Sequence, residues 1–323
     1  MRILVTGGFG FIGSAFVRLA YKAGHHITIL DKMTYAADPA NIPHEIASAS
    51  TIAHLDIADN DQLLSFLDSQ EEYDCIVNFA AESHVDRSIS NGLPFVQSNI
   101  VGVVNFLEYL KSKTRTKFLQ VSTDEVYGTI AEGSWDENFA LNPRSAYSSS
   151  KASAEFFCNA YRNTHNLNIT ITRCANNFGP RQSAEKLIPT VIGSVLRGEQ
   201  VPIYGKGLNR REWIYVDDHA AAILSILESA SPKQTAYNLG GCEFTNNDLV
   251  LQILRALGKS ESVIKYVEDR KGHDLRYSVN DSAFRAEFGK IESGSFDSNL
   301  AETVSWYLEN IEWLEKSLKG LKI

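Results

Sequence analysis

Residues 2–24 read RILVTGGFGFIGSAFVRLAYKAG, and the order of residue types in this stretch decides the fold. The apolar run Ile3-Leu4-Val5 has the length of one buried strand. Glycines at 7, 10 and 13 follow, and helical spacing of apolar residues then continues to about Gly24. In that context Gly7 can turn tightly, the backbone can come close to a pyrophosphate, and the helix can pack against the sheet. The first turn of such a helix also offers unpaired N–H groups to an anion. Ile3 to Val17 carry no charge, so the stretch could pass for the centre of a signal peptide. Only Arg2 precedes it, no clear small-residue cleavage site follows, and its glycines would weaken a helix there. The reading is strand, turn and helix.

Working outward, HITILDK (26–32) is the next strand and ends on Asp31, 18 residues beyond Gly13. A carboxylate there accepts from an adenosine ribose 2′-hydroxyl and disfavours a 2′-phosphate, which points to NAD over NADP. Lys32, its neighbour, is counted with the same cofactor end. Apolar runs recur at 51–56, 73–81, 116–123 and 168–174, with helical patterns between them. Strands that are apolar throughout and alternate with helices indicate a parallel sheet covered on both faces. The expected fold is therefore α/β, a Rossmann-type doubly wound sheet. Residues 1–172 form the cofactor domain, with 213–235 returning to it. Residues 173–323, punctuated by Pro and Gly, form most of a smaller substrate-binding α/β region. Leu249–Leu257 and the tail near 301–318 read as further helices.

The chain has 323 residues, 44% hydrophobic and 22% charged, with a net charge of −8. That balance argues against a nucleic-acid partner, which needs clustered Lys and Arg. Cys75, Cys158, Cys174 and Cys242 form no CxxC pair and no metal-ligand spacing, so no metal is expected. Few cysteines in a long chain suit buried thiols in a reducing cytoplasm. No run of 18 apolar residues is present, so no membrane span is expected.

Two further motifs carry chemistry. In AYSSSKASAE (146–155), Tyr147 and Lys151 are four apart and share a helix face. An ammonium near a phenol lowers the phenol's pKa and makes it a usable base. In QVSTDEVYG (120–128), Thr123, Asp124 and Glu125 follow a buried strand. Adjacent carboxylates repel, gain nothing from packing, and have pKa values pushed apart, as an acid and a base in one site require.

Together with NFAAESHVDRSI, DKMTYAADPANI, EKLIPTVI, REWIYVDDHA, YNLGG and DRKGHDLRY, these motifs resemble the extended short-chain dehydrogenases/reductases, and within them the dTDP-glucose 4,6-dehydratases. The resemblance covers nearly the whole chain, and the AAESHVDRS and STDEVYG pair is its most specific part. It implies a lyase of nucleotide-sugar metabolism that uses NAD and dimerises through helices near 93–112 and 147–164. It implies that Thr123 helps Tyr147 engage the sugar 4-hydroxyl, that Asp124 is the acid for the leaving C6 hydroxyl, and that Glu125 is the base for the C5 proton. Phe11, Ile12, Thr34, Asp56, Ile57, Ala80, Ala81, Ser98 and Asn177 match cofactor contacts, with Tyr147 and Lys151. Glu82, Asn176, Lys186, Leu187, Pro202, Tyr204, Arg211, Asn246, Arg270 and His273 match substrate contacts, with Thr123. Arg211 and Arg270 suit a diphosphate, because the guanidinium fork pairs bidentately with it. His84 and Asp86 are read as supports of the site.

The chain departs from the family's pattern at Arg181-Gln182-Ser183-Ala184, where an aromatic-Pro sequence is common, and at Glu212, where aspartate is usual. Both lie in the substrate region, so a UDP-, GDP- or CDP-linked sugar stays open as the substrate. A 4-epimerase would use Tyr147, Lys151 and NAD but has no need of Asp124 and Glu125. A non-catalytic NAD-binding scaffold would need none of the four.

Overall fold

Ile3, Leu4 and Val5 are fully buried in β1 (Arg2–Thr6). Successive strand residues point to opposite faces, so Ile3 and Val5 enter one core layer and Leu4 the other. Both layers are apolar, which is why the run has no polar position. In a computed structural model that describes residues 1–269 and 274–320, the strands after β1 are β2 (His26–Asp31), β3 (Thr51–His54), β4 (Cys75–Asn78), β5 (Lys117–Thr123), β6 (Ile169–Cys174), β7 (Asn176–Phe178), β8 (Val201–Tyr204), β9 (Arg210–Tyr215), β10 (Ala236–Leu239), β11 (Cys242–Thr245) and β12 (Ile264–Val267).

Seven of these make one sheet in the order β10-β6-β5-β4-β1-β2-β3. All its pairings are parallel. The strand order reverses between β1 and β4, and a crevice opens there beyond the strands' carboxyl ends. The helices Phe11–Lys22 and Val216–Glu228 pack together on one face. Gly102–Leu110 and Ala146–His165 cover the other. β10, absent from the sequence reading, extends the sheet by four residues, too short a run to show a period. The helix expected across 94–113 contains a π-helical turn, Gln97–Val101, between Leu93–Val96 and Gly102–Leu110.

Past β6 the chain builds a second core. β9 pairs with β7 and β11, while β8 pairs with β12. Phe178, Ile188, Val191, Trp213, Leu249 and Tyr307 fill the space beneath them. The tail is two helices, Phe296–Glu309 and Ile311–Gly320, broken at Asn310. No helix among the described residues is long and apolar enough to cross a membrane.

Candidate active site

The crevice at the switch point is a cleft of about 590 Å³. Its floor is the turn after β1. Gly7 has φ +64°, which few residues other than glycine adopt without strain. A Cβ on Gly13 would lie 2.2 Å from the Gly7 carbonyl oxygen, and one on Gly7 would lie 2.8 Å from Ala80 N. Only bare backbone fits, and the bare backbone forms an open cradle at a helix N-terminus. That is the shape and donor set a dinucleotide pyrophosphate requires.

Asp31 closes β2, buried, and accepts from Phe9 N at 3.0 Å and Met33 N at 2.8 Å. Burial pushes its carboxyl above the usual range, and those two N–H groups pull it back. Each oxygen keeps a second lone pair, which fits a ribose hydroxyl. Lys32 Nζ lies 3.2 Å from Asp56 Oδ2 and 3.4 Å from Ser98 Oγ, joining three residues assigned to the cofactor. Asn99, on the π-helical turn, grips Glu82 by both its backbone N and O and so fixes the 80–84 loop along the cleft. Asn177 accepts at Oδ1 from the Nδ1 side of His219, 2.8 Å away. His219 is fully buried, and burial lowers its imidazole to about 3, so it is neutral.

At the end of β5, Thr123 Oγ1 donates to Asp124 Oδ1 at 3.2 Å and accepts from Glu125 N at 3.3 Å. Thr123 and Glu125 line the cleft. Asp124 sits behind that wall, 2% exposed. Burial first, then the charges of Glu125 and Glu212, hold its carboxyl well above the usual range. Repulsion between neighbours, the cause read from sequence, is therefore second to desolvation. Glu212 is buried and accepts from Ser278 Oγ at 2.6 Å, so one departure from the family pattern lies electrostatically next to Asp124.

Tyr147 and Lys151 share one face of Ala146–His165, whose start is fixed by a Ser145–Ser148 capping box. The expected effect of Lys151 on the phenol needs correction. Tyr147 is pushed well above 10 by burial, then by Glu125 and Cys174, with a hydrogen bond from Thr123 opposing. Lys151 is itself lowered to about 8 by burial, and its Nζ donates to the Val121 carbonyl at 2.6 Å. Desolvation outweighs the attraction that spacing alone suggests.

At the far end, Arg211 stacks on the Tyr277 ring at 4.3 Å and donates to the carbonyls of Arg210 and Asp274. Tyr277 OH donates to Asp274 Oδ2 at 2.6 Å, and Arg144 Nη1 meets Asp274 Oδ1 at 2.9 Å. The cleft brings together every site residue expected from sequence except three. Asp124 lies just behind the wall, and Arg270 and His273 lie outside the described residues. Tyr277, Arg144 and Glu185 line the cleft and were not singled out. Glu185 adjoins Lys186, and Tyr277 ends the DRKGHDLRY motif, but neither has a spacing of its own to reveal it.

The model of the NAD dependent epimerase/dehydratase family matches residues 3–240. The chain belongs to the NAD dependent epimerase/dehydratase family. Within the family it is 42% identical over 323 residues to the dTDP-glucose 4,6-dehydratase of Streptomyces niveus, covering 98% of this chain and 95% of that one. The structure of the dTDP-glucose 4,6-dehydratase DesIV from Streptomyces venezuelae, which has NAD bound, superposes with a TM-score of 0.93 at 42% identity, covering 98% of this chain and 100% of that one. The UDP-glucose 4-epimerase of Thermotoga maritima superposes with a TM-score of 0.89 at 26% identity, covering 96% of this chain and 100% of that one.

Proposed function

We propose that the chain is a lyase that uses NAD to convert dTDP-glucose to dTDP-4-keto-6-deoxyglucose. The observation that carries this reading is the Asp124–Glu125 pair at the end of β5, in the same site as Tyr147. A 4-epimerase has no task for two carboxylates there, and identity falls from 42% to 26% between the dehydratases and the epimerase above.

NAD, when bound, would supply the hydride acceptor for C4 and the hydride donor for C6. The residues of the glycine turn and Asp31 would hold it. Tyr147 removes the proton of the C4 hydroxyl, with Thr123 beside both. The resulting ketone acidifies C5–H, and Glu125 takes that proton. Burial and the neighbouring carboxylates raise the Asp124 carboxyl and favour its protonated form. It can then protonate the leaving C6 oxygen, and water departs. Glu125 returns its proton to C5. Arg211, held rigidly by carbonyls and by Tyr277, faces the diphosphate. Lys186 and, by resemblance, Arg270 and His273 complete that end.

Two finer statements belong to the same reading. The protein works as a homodimer through the adjoining helices that expose Leu93 and Phe156, and it resides in the cytoplasm, where its four free cysteines stay reduced. The stretch 181–184 makes a different nucleotide the second reading.

The test is incubation with dTDP-, UDP-, GDP- and CDP-glucose and identification of products by mass spectrometry. The 4-keto-6-deoxy product is expected, fastest from dTDP-glucose. Faster turnover of another nucleotide would overturn the base assignment. Glu125→Gln should oxidise C4 yet fail to lose water, so reduced cofactor accumulates, whereas Tyr147→Phe should give little. General acid–base groups contribute roughly 10²–10⁴-fold. Near wild-type dehydration by both Glu125→Gln and Asp124→Asn would make the pair structural and restore the epimerase reading.

A further inference from the structure

Beneath the cleft, Glu155 and Arg173 form an ion pair whose side chains are 0% and 6% exposed. Neither residue lines the cleft. Arg173 stands one residue before the end of β6, between Ser122 of β5 and Asn238 of β10. Its Nε and Nη2 both donate to Glu155 Oε2, at 3.0 and 2.8 Å. Its Nη1 donates to Tyr127 OH and, at 3.2 Å, to the Glu137 carbonyl. The guanidinium lies 4.8 Å from the centre of the Tyr127 ring. Tyr127 OH in turn donates to Asn238 Oδ1 at 2.9 Å.

These contacts join the two parts of the active site. Tyr127 closes the short helix Asp124–Tyr127, which carries the two carboxylates. Glu155 is on the helix Ala146–His165, one turn beyond Lys151 on the same side. Lys151 ties that helix to β5 through the Val121 carbonyl, and Glu155 ties it to β6. One guanidinium therefore touches both the turn that bears Glu125 and the helix that bears Tyr147.

Stability does not account for this arrangement. A buried ion pair loses the hydration of both charges and is often no better than apolar residues of similar volume. Glu155 Oε1 has no hydrogen-bond partner among the described residues, so the desolvation is only partly offset. What a guanidinium supplies and an apolar side chain cannot is direction, because its donors project in a rigid planar fork. The dehydration chemistry, on which this inference rests, needs that direction. One bound sugar must present its C4 hydroxyl to Tyr147 and its C5 proton to Glu125, and a misplacement of about 1 Å can slow a reaction roughly 10²-fold. We propose that Arg173 is a positioning residue, a buried bracket that sets the Asp124–Glu125 turn at a fixed distance from Tyr147.

The experiment uses full-length, NAD-loaded protein with dTDP-glucose. It compares wild type, Tyr127→Phe, and the double variant Glu155→Leu with Arg173→Met. Tyr127→Phe cuts the hydrogen bond to the turn and keeps the ion pair. The double variant removes the bracket without stranding a buried charge. Both should stay folded by circular dichroism, with KM unchanged and kcat lower by about tenfold or more. Reduced cofactor should build up during turnover, because C4 oxidation continues while elimination waits on displaced carboxylates. A pair that is merely structural would lower the melting temperature and leave kcat per folded site unchanged, and that result would overturn the bracket. Unchanged kcat in Tyr127→Phe would overturn it whether or not the double variant folds. So would oxidation and elimination slowed equally, with no reduced cofactor accumulating. A wild type that gives no 4-keto-6-deoxy product overturns the functional reading and the bracket with it.

Discussion

Lys151 shows at the residue scale how function opposes stability. Its ammonium is buried, and folding lowers it from 10.5 to about 8. At neutral pH that shift corresponds to about 3 kcal/mol against the folded state. The cost is full below pH 8, where both states are charged. It fades as pH rises from about 8 towards 10.5, because the folded lysine is then neutral while the unfolded one still holds its proton. Lys151→Met should therefore raise the melting temperature of the cofactor-free protein at pH 7 while abolishing activity. The gain should shrink at alkaline pH. The Val121 carbonyl is not orphaned by the change, since Gln120 Nε2 also donates to it at 3.0 Å. An unchanged or lower melting temperature at pH 7 would contradict the argument. The pairing of Tyr147 with Lys151 was legible from their spacing of four. The sign of the phenol's shift was not, because burial is a property of everything packed around it.

At the scale of elements, the join between β1 and Phe11–Lys22 is the most constrained. A methyl group on Gly13 would meet the Gly7 O at 2.2 Å, Gly7 C at 2.9 Å and Gly8 Cα at 3.1 Å, all backbone atoms. Backbone cannot rotate aside as a side chain can. Gly13→Ala should cost roughly 1–3 kcal/mol by overpacking and reshape the cradle, so the purified protein should lose its NAD. Thermal melting with and without added NAD checks both effects, and wild-type NAD retention would contradict the geometry. The glycines, the strand and the helix were all visible in one line of sequence, because each is a local signal. β10 was not visible, since four residues show no period and their strand identity comes from pairing with β6. The π-helical turn that lets Asn99 grip Glu82 was equally hidden. Its hydrogen-bond register answers to a loop 17 residues away in sequence.

Across the whole molecule, large apolar side chains stay uncovered on helices that adjoin one another. Leu93 is 71% exposed and Phe156 60%. A contiguous apolar patch is where a protein partner docks, and these two helices adjoin. The double substitution Leu93→Glu with Phe156→Glu should turn a dimer into a monomer by light scattering, with the fold kept by circular dichroism. A monomeric wild type would sink the dimer reading. The two halves of one chain are also joined across the cleft, where Arg144, ahead of the Tyr147 helix, pairs with Asp274 from the second region.

The sequence by itself determined the parallel sheet and the glycine cradle and named the candidate residues of the chemistry, because these depend on periods and on motifs a few residues long. The tertiary structure alone decided how those residues behave. It placed Asp124 behind the wall, held by the Thr123 hydroxyl at 3.2 Å. It brought Glu212, 88 positions away in the chain, close enough to help raise the Asp124 carboxyl above its usual range. It assembled Arg211, Tyr277, Asp274 and Arg144 into one support. Burial and long-range charge arise only when distant segments exclude water together, and no local pattern of residues records that exclusion.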